Sequence, residues 1–197
     1  MFNIVADFEA QIAEYFNAPY AVAVDCCTHA IELCLRHTEP KSVQCPSHTY
    51  ISVPFTFTKL NLNWNFNHEH WQKYYWLKGT NIIDAAVLWE EDSYVPNTLM
   101  CLSFQFKKHL SLGRGGAILC SNKKDYDALK KMSYDGRMPN VPWADQDINS
   151  IGYHYYMTPE TAKLGLDKLS EAKSTPAKLW TWQDYPYLPQ FKVFTNV

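Results

Sequence analysis

The chain has 197 residues, 47% of them hydrophobic, with 18 Lys and Arg against 20 Asp and Glu and a formal net charge of -2 at pH 7. A chain of this length can bury roughly 70% of the surface its unfolded form exposes, so one domain without disulfide or metal support is the default. The near-neutral balance gives no basic footprint for nucleic acid or an anionic membrane, and no run approaches the roughly 20 apolar residues of a bilayer span; small molecules and protein partners remain.

The opening MFNIVADFEAQIAEYF carries acids and no basic leader region, so a cytoplasmic protein is expected. Within it Phe8, Ile12, Tyr15 and Phe16 recur at helical spacing, and the helix should end near Asn17, ahead of Pro19. AVAV at 21–24 reads as a buried strand and THAIELCLR as a helix, which makes 25–28 the turn between them, where an α/β sheet places ligands. VQC at 43–45 is strand-like and stops at Pro46, and Thr49 to about Leu60 fits a helix kinked at Pro54. NIIDAAV is a short apolar run with Asp84 at its C-terminal end. MCLSF at 100–104 and AILC at 117–120 are two further strands, parted by the polar loop KKHLSLGRGG.

Lys123 to about Tyr134 fits a helix closed by Asp135-Gly136-Arg137. Thr158-Pro159-Glu160 starts another, with Ala162, Leu166 and Leu169 on one face. Short runs alternating with helices predict an α/β fold of three layers, a mostly parallel sheet with helices on both faces, over residues 1–173. Residues 174–197 form a tail that interleaves Trp180, Trp182, Tyr185, Tyr187 and Phe191 with Pro186 and Pro189, which reads as packing, part of it against a partner subunit.

The six cysteines include no C-x-x-C pair, and most read as small buried hydrophobes. Cys26 and Cys27 fall at the strand-to-helix turn, where a helix dipole can lower a thiol pKa. Gly113-x-Gly115-Gly116 lacks a following Gly-Lys-Ser/Thr and precedes a strand, which argues against a nucleotide loop. His68, Glu69 and His70 read as a solvated polar turn, and no metal site is expected.

Lys108 stands five positions after Ser103 in LSFQFKKHLSLGRGG, with Asp84 upstream and CCTHAIEL further back. A lysine in a polar loop is by itself usually a solvated charge; Asp84 alone could equally cap a following helix, and Tyr50 could be plain core. The ordered set changes that reading. FEAQIAEYFNAPYAVAVDCCTHAIELCL, CPSHTYIS, IIDAA, LSFQFKKHLSLGRGGAIL, YDGR and GYHYYMTPETAKLGLDKL, in this order, resemble the DegT/DnrJ/EryC1/StrS family of sugar aminotransferases, pyridoxal-phosphate enzymes of fold type I.

The resemblance implies that Lys108 is the Schiff-base former and proton shuttle and that Asp84 pairs with the pyridinium nitrogen. Ser103 and Thr28 would hold the phosphate together with backbone amides near Cys27, and Tyr50 would stack on the ring. His154 occupies the place of an asparagine that in the family reaches the phosphate of a neighbouring subunit, so a homodimer is implied. Lys107 is the rival amine, but only Lys108 has the family's spacing from Ser103.

The chain departs from the pattern at several positions. Cys26 and Cys27 replace Ser-Gly, Val87 replaces a polar residue, His109 an asparagine, Arg114 a glutamate and Tyr156 an arginine. The stretch between Phe66 and Ile82 is short, and the whole reads as a shortened form without the family's C-terminal domain. The implied activity is amino transfer from a donor such as glutamate to a keto-sugar on a nucleotide, with pyridoxal 5'-phosphate as cofactor. The alternative is a non-catalytic or cofactor-binding descendant acting as a binding or regulatory module.

Overall fold

The computed structural model of the chain describes residues 2–195. Helix α1 (Asn3–Phe16) buries Val5, Phe8, Ile12 and Phe16 along one stripe, and it stops at Asn17, whose left-handed backbone (φ 58°) lets its N–H close on Ala13 and Glu14. Strand β1 (Tyr20–Val24) follows, then α2 (Cys27–Thr38), β2 (Ser42–Pro46), α3 (Ser52–Lys59) and β3 (Asn63–Asn67). Next come β4 (Tyr75–Trp76), β5 (Ile82–Asp84), β6 (Leu99–Ser103), β7 (Gly116–Cys120), α4 (Lys123–Ser133) and α5 (Pro159–Ser174). Thr158 caps α5 by accepting the Thr161 N–H, with Pro159 in the first turn. Among the described residues, no helix is long and apolar enough to cross a membrane.

The central sheet has the order β1-β7-β6-β5-β4, and β2 and β3 form a separate parallel pair. The α/β class holds, and the pairings refine it to a mixed sheet. Strands β1, β5 and β6 run in one direction, but β7 is inserted antiparallel between β1 and β6, and β4 pairs antiparallel with β5. Only β5 and β6 are parallel neighbours within the central sheet.

Period-two alternation separates two cores. Ala21, Ala23, Ile83, Met100, Leu102, Ala117 and Leu119 face α1 and α5, while Val22, Val24, Ile82, Leu99, Cys101, Ile118 and Cys120 face α2, α3 and α4. Gly165 lets α5 lie directly on the Phe8 ring, to which a Cβ there would approach within 2.4 Å. The buried Glu9 carboxylate of α1 accepts from Lys130 Nζ of α4 at 2.5 Å and from the Ala23 N–H at 2.7 Å, so one acid ties both layers to β1.

Two sequence expectations change. The helix expected from Thr49 starts at Ser52, which leaves Pro54 in the first turn, where no kink is needed. Strands β3 and β4 were not anticipated, and β4 falls inside the short 66–82 stretch. The aromatic tail is folded back on the body: Trp182 N–H donates to Trp71 O, Lys73 N–H to Trp180 O and Leu188 N–H to Ser47 O.

Candidate active site

Lys108 lies in the irregular segment between β6 and β7, held by a turn in which its N–H donates to Gln105 O at 2.8 Å. Lys107 beside it is exposed, whereas Lys108 turns inward, half-buried, and its Nζ donates to the Tyr185 hydroxyl at 3.3 Å. The amine also lies 5.1 Å from the centre of the Trp180 ring. Burial pulls its pKa down against the opposing pull of Asp84 and Cys27, so the neutral amine is more accessible than for a solvated lysine.

Asp84 ends β5 and is 5% exposed. Its Oδ2 accepts from the Tyr75 hydroxyl at 2.5 Å and its Oδ1 from the Ala86 N–H at 2.9 Å. The phenol arrives there because Tyr75 stands directly opposite Asp84 in the β4–β5 register, and Thr49 bonds the same phenol from behind. The bond to Ala86 closes a turn, with no helix after it to cap. Burial raises the Asp84 pKa, against the lowering effect of Tyr75, Ala86 and Lys108.

Cys27 opens α2 beneath the site, its thiol buried and aimed at Cys101 O. The expectation of a dipole-activated thiol is corrected for Cys27, because burial first, and then the Asp84 charge, push its pKa far up. Thr28 in the first turn of α2 bonds Ser52 Oγ at 2.7 Å. Ser103 ends β6 opposite Gly116, and its Oγ accepts from the Gln105 N–H at 3.4 Å. Gly116 lets β7 pass directly under the α2 entrance: a Cβ there would lie 2.7 Å from Cys26 C and Cys27 N.

Tyr50 is 55% exposed, which removes the plain-core alternative. His154 stays apart from the group, with its side chain 70% exposed and bonded to Asp135 and Tyr156. Asp25, Cys26 and His29 bring three potential metal-ligand atoms within 4.8 Å of one another at the α2 entrance. However, the Arg114 guanidinium already sits 2.7 Å from Asp25, and the helix N-terminus adds positive potential, so this cluster is an ion-paired one.

Sequence reasoning missed four residues of the site: Tyr75, Thr49, Trp180 and Tyr185. Tyr185 is the central one. Burial first, and then Asp84, Cys27, Asp184 and Tyr50, push its phenol pKa up, so three of the expected cofactor residues act on this hydroxyl and a fourth, Lys108, bonds it. The donors suit pyridoxal phosphate at its reactive ends, with an amine whose proton affinity burial lowers, a buried carboxylate, and amides at the first turn of α2. The Tyr185 hydroxyl already bonds the amine, so the group fits once that side chain is displaced.

The sequence model of the DegT/DnrJ/EryC1/StrS aminotransferase family matches residues 2–63 and 96–180, well over half of the chain. Tyr75, Asp84 and Tyr185 lie outside the matched segments. Among solved structures, the sugar aminotransferase CalS13 from Micromonospora echinospora is similar over 86% of this chain and 61% of its own, with a TM-score of 0.71 and 15% identity. The PLP form of Spr1654 from Streptococcus pneumoniae gives 0.70 at 18% identity, covering 87% of this chain and 60% of its own. PseC of Helicobacter pylori, an aminotransferase involved in the biosynthesis of pseudoaminic acid, gives 0.66 at 12%, covering 86% and 58%. These likenesses show the fold, and the chain spans about three fifths of the length of those structures. No curated protein matches it.

Proposed function

Since this chain belongs to the DegT/DnrJ/EryC1/StrS aminotransferase family, we propose that it binds pyridoxal 5'-phosphate and transfers an amino group from a donor such as glutamate to a keto-sugar carried on a nucleotide. The observation that supports this reading is an inward-turned, half-buried Lys108 amine together with a buried Asp84 carboxylate close enough to act on it through its charge. Bound pyridoxal phosphate supplies the electron sink for such chemistry.

The chain's own residues then have definite tasks. Lys108 Nζ is the nucleophile and the carrier of the proton moved at the substrate carbon. Asp84, oriented by Tyr75 and Ala86, would hold the protonated ring nitrogen with its carboxylate. The α2 entrance, Thr28 and Ser103 would hold the phosphate, with Arg114 adding positive charge nearby, and Tyr50 would stack on the ring. The working unit in this reading is a homodimer, in which the exposed His154 side chain, bonded here to Asp135 and Tyr156, would turn to a partner's phosphate.

The test is spectroscopic. Mixed with pyridoxal phosphate, the protein is expected to develop the visible absorption of a lysine-bound cofactor; Lys108→Ala removes it and Lys107→Ala spares it. Persistence of the band in Lys108→Ala overturns the assignment. The competing reading, a cofactor-binding module without turnover, is favoured by Tyr185 lying over Lys108. Glutamate separates the two, because an aminotransferase loses the band on adding the donor and a binding module keeps it.

A further inference from the structure

We infer that residues 175–187 form a strap whose Tyr185 side chain holds the place of the cofactor ring, so that strap docking and cofactor binding exclude one another. The inference rests on the reading of Lys108 and Asp84 as a cofactor site and adds a control to it. Its first support is geometric. The Tyr185 hydroxyl lies 3.3 Å from Lys108 Nζ, the Trp180 ring stands 5.1 Å from the same amine, and Tyr185 packs on Trp71 at 5.6 Å between ring centres. An aromatic ring with a hydroxyl toward the lysine is similar to a pyridoxal ring in size and sets a polar oxygen beside the amine.

The second support is the way the segment is attached. At one end it leaves α5 through residues 175–179, which are exposed and irregular, and beside Ala177–Trp180 lies a cavity of about 220 Å³ that also borders Val87 and Trp89. At the other end Leu188 is buried and its N–H is fixed to Ser47 O, while Phe194 packs on Phe66 and Phe55. Between these anchors the hold is modest: Trp182 stacks on His70 at 4.1 Å, Tyr185 O accepts from His48 Nδ1 at 2.8 Å, and a few backbone bonds reach Trp71 and Lys73. A segment anchored at both ends and lightly held in the middle can lift without unfolding the body. A site competent only when the strap is up binds its ligand more weakly by the fraction of time it is open.

The experiment titrates pyridoxal 5'-phosphate into the full chain and into Tyr185→Ala, Tyr185→Phe and Lys108→Ala, reading the visible band and, separately, tryptic cleavage at Lys173 and Lys178. Tyr185→Ala is expected to bind about tenfold or more tightly than the parent, while Tyr185→Phe, which keeps the ring, stays near the parent. The cofactor should also speed tryptic cleavage of the parent's strap. Equal affinity in the parent and Tyr185→Ala, with cleavage unchanged by the cofactor, overturns the strap while leaving the cofactor reading intact. No band in either protein removes the cofactor reading and the strap's role with it.

Discussion

His29 shows how one side chain can make this fold sensitive to pH. Burial lowers its pKa, but the bond to Asp25 at 2.7 Å and the nearby Cys26 outweigh that and raise it from 6.5 to about 9. A folded-state pKa above the unfolded one means that the stabilisation is fully present below about pH 6.5 and is lost as pH rises through about 9. The urea midpoint is therefore expected to fall over that window, by on the order of 2 kcal/mol of stability, and His29→Asn should flatten the profile. Asp84 has the same sign in a lower window: burial raises its pKa, so its contribution is largest below the ordinary carboxylate range and declines as pH rises through the folded value. Tyr75→Phe removes the hydroxyl from Oδ2 without changing the ring. It should cost about 1–3 kcal/mol at neutral pH and steepen that decline, both read from urea unfolding as a function of pH.

Between elements, two contacts set the geometry beneath the site. Gly116→Ala would drive a methyl group into backbone atoms of Cys26, Cys27 and Leu102, none of which can rotate away. A loss of about 1–3 kcal/mol in thermal or urea stability is expected, with weaker binding of the cofactor phosphate as the α2 entrance shifts. Lys130→Met strands the Glu9 carboxylate between α1 and β1, and removal of one partner of a buried pair costs about 3–5 kcal/mol. Glu9→Gln combined with Lys130→Met should recover part of that loss in the same assay. Most elements were legible in the sequence because they announce themselves locally. AVAV is an unbroken apolar run, MCLSF is broken only by Ser103, and Thr158-Pro159 is a helix start. The alternation of Asn with Leu62, Trp64 and Phe66 carries the signal for β3, whereas a two-residue strand such as β4 leaves no periodicity to read. Strand direction was also hidden, since a five-residue apolar run such as β7 looks the same whichever way it enters the sheet.

For the molecule as a whole, the legible part of the site is the part built from motif order: Lys108, Asp84, Ser103 and the α2 entrance. Tyr75 and Tyr185 were hidden because a strand register and a contact across 77 positions create their roles, and neither leaves a mark on neighbouring residues. The join between His48 and Tyr185 bridges 137 positions. Bringing such distant points together carries a large closure entropy, offset here by few bonds. In native-state hydrogen exchange, the amides of Lys73, Trp182 and Leu188, which tie the returning segment down, should therefore exchange through a low-energy local opening. Those of Met100 to Leu102 and Ala117 to Leu119, sealed between the two cores, should wait for global unfolding. Deuterium uptake followed by mass spectrometry would then record two separate rate classes within one chain.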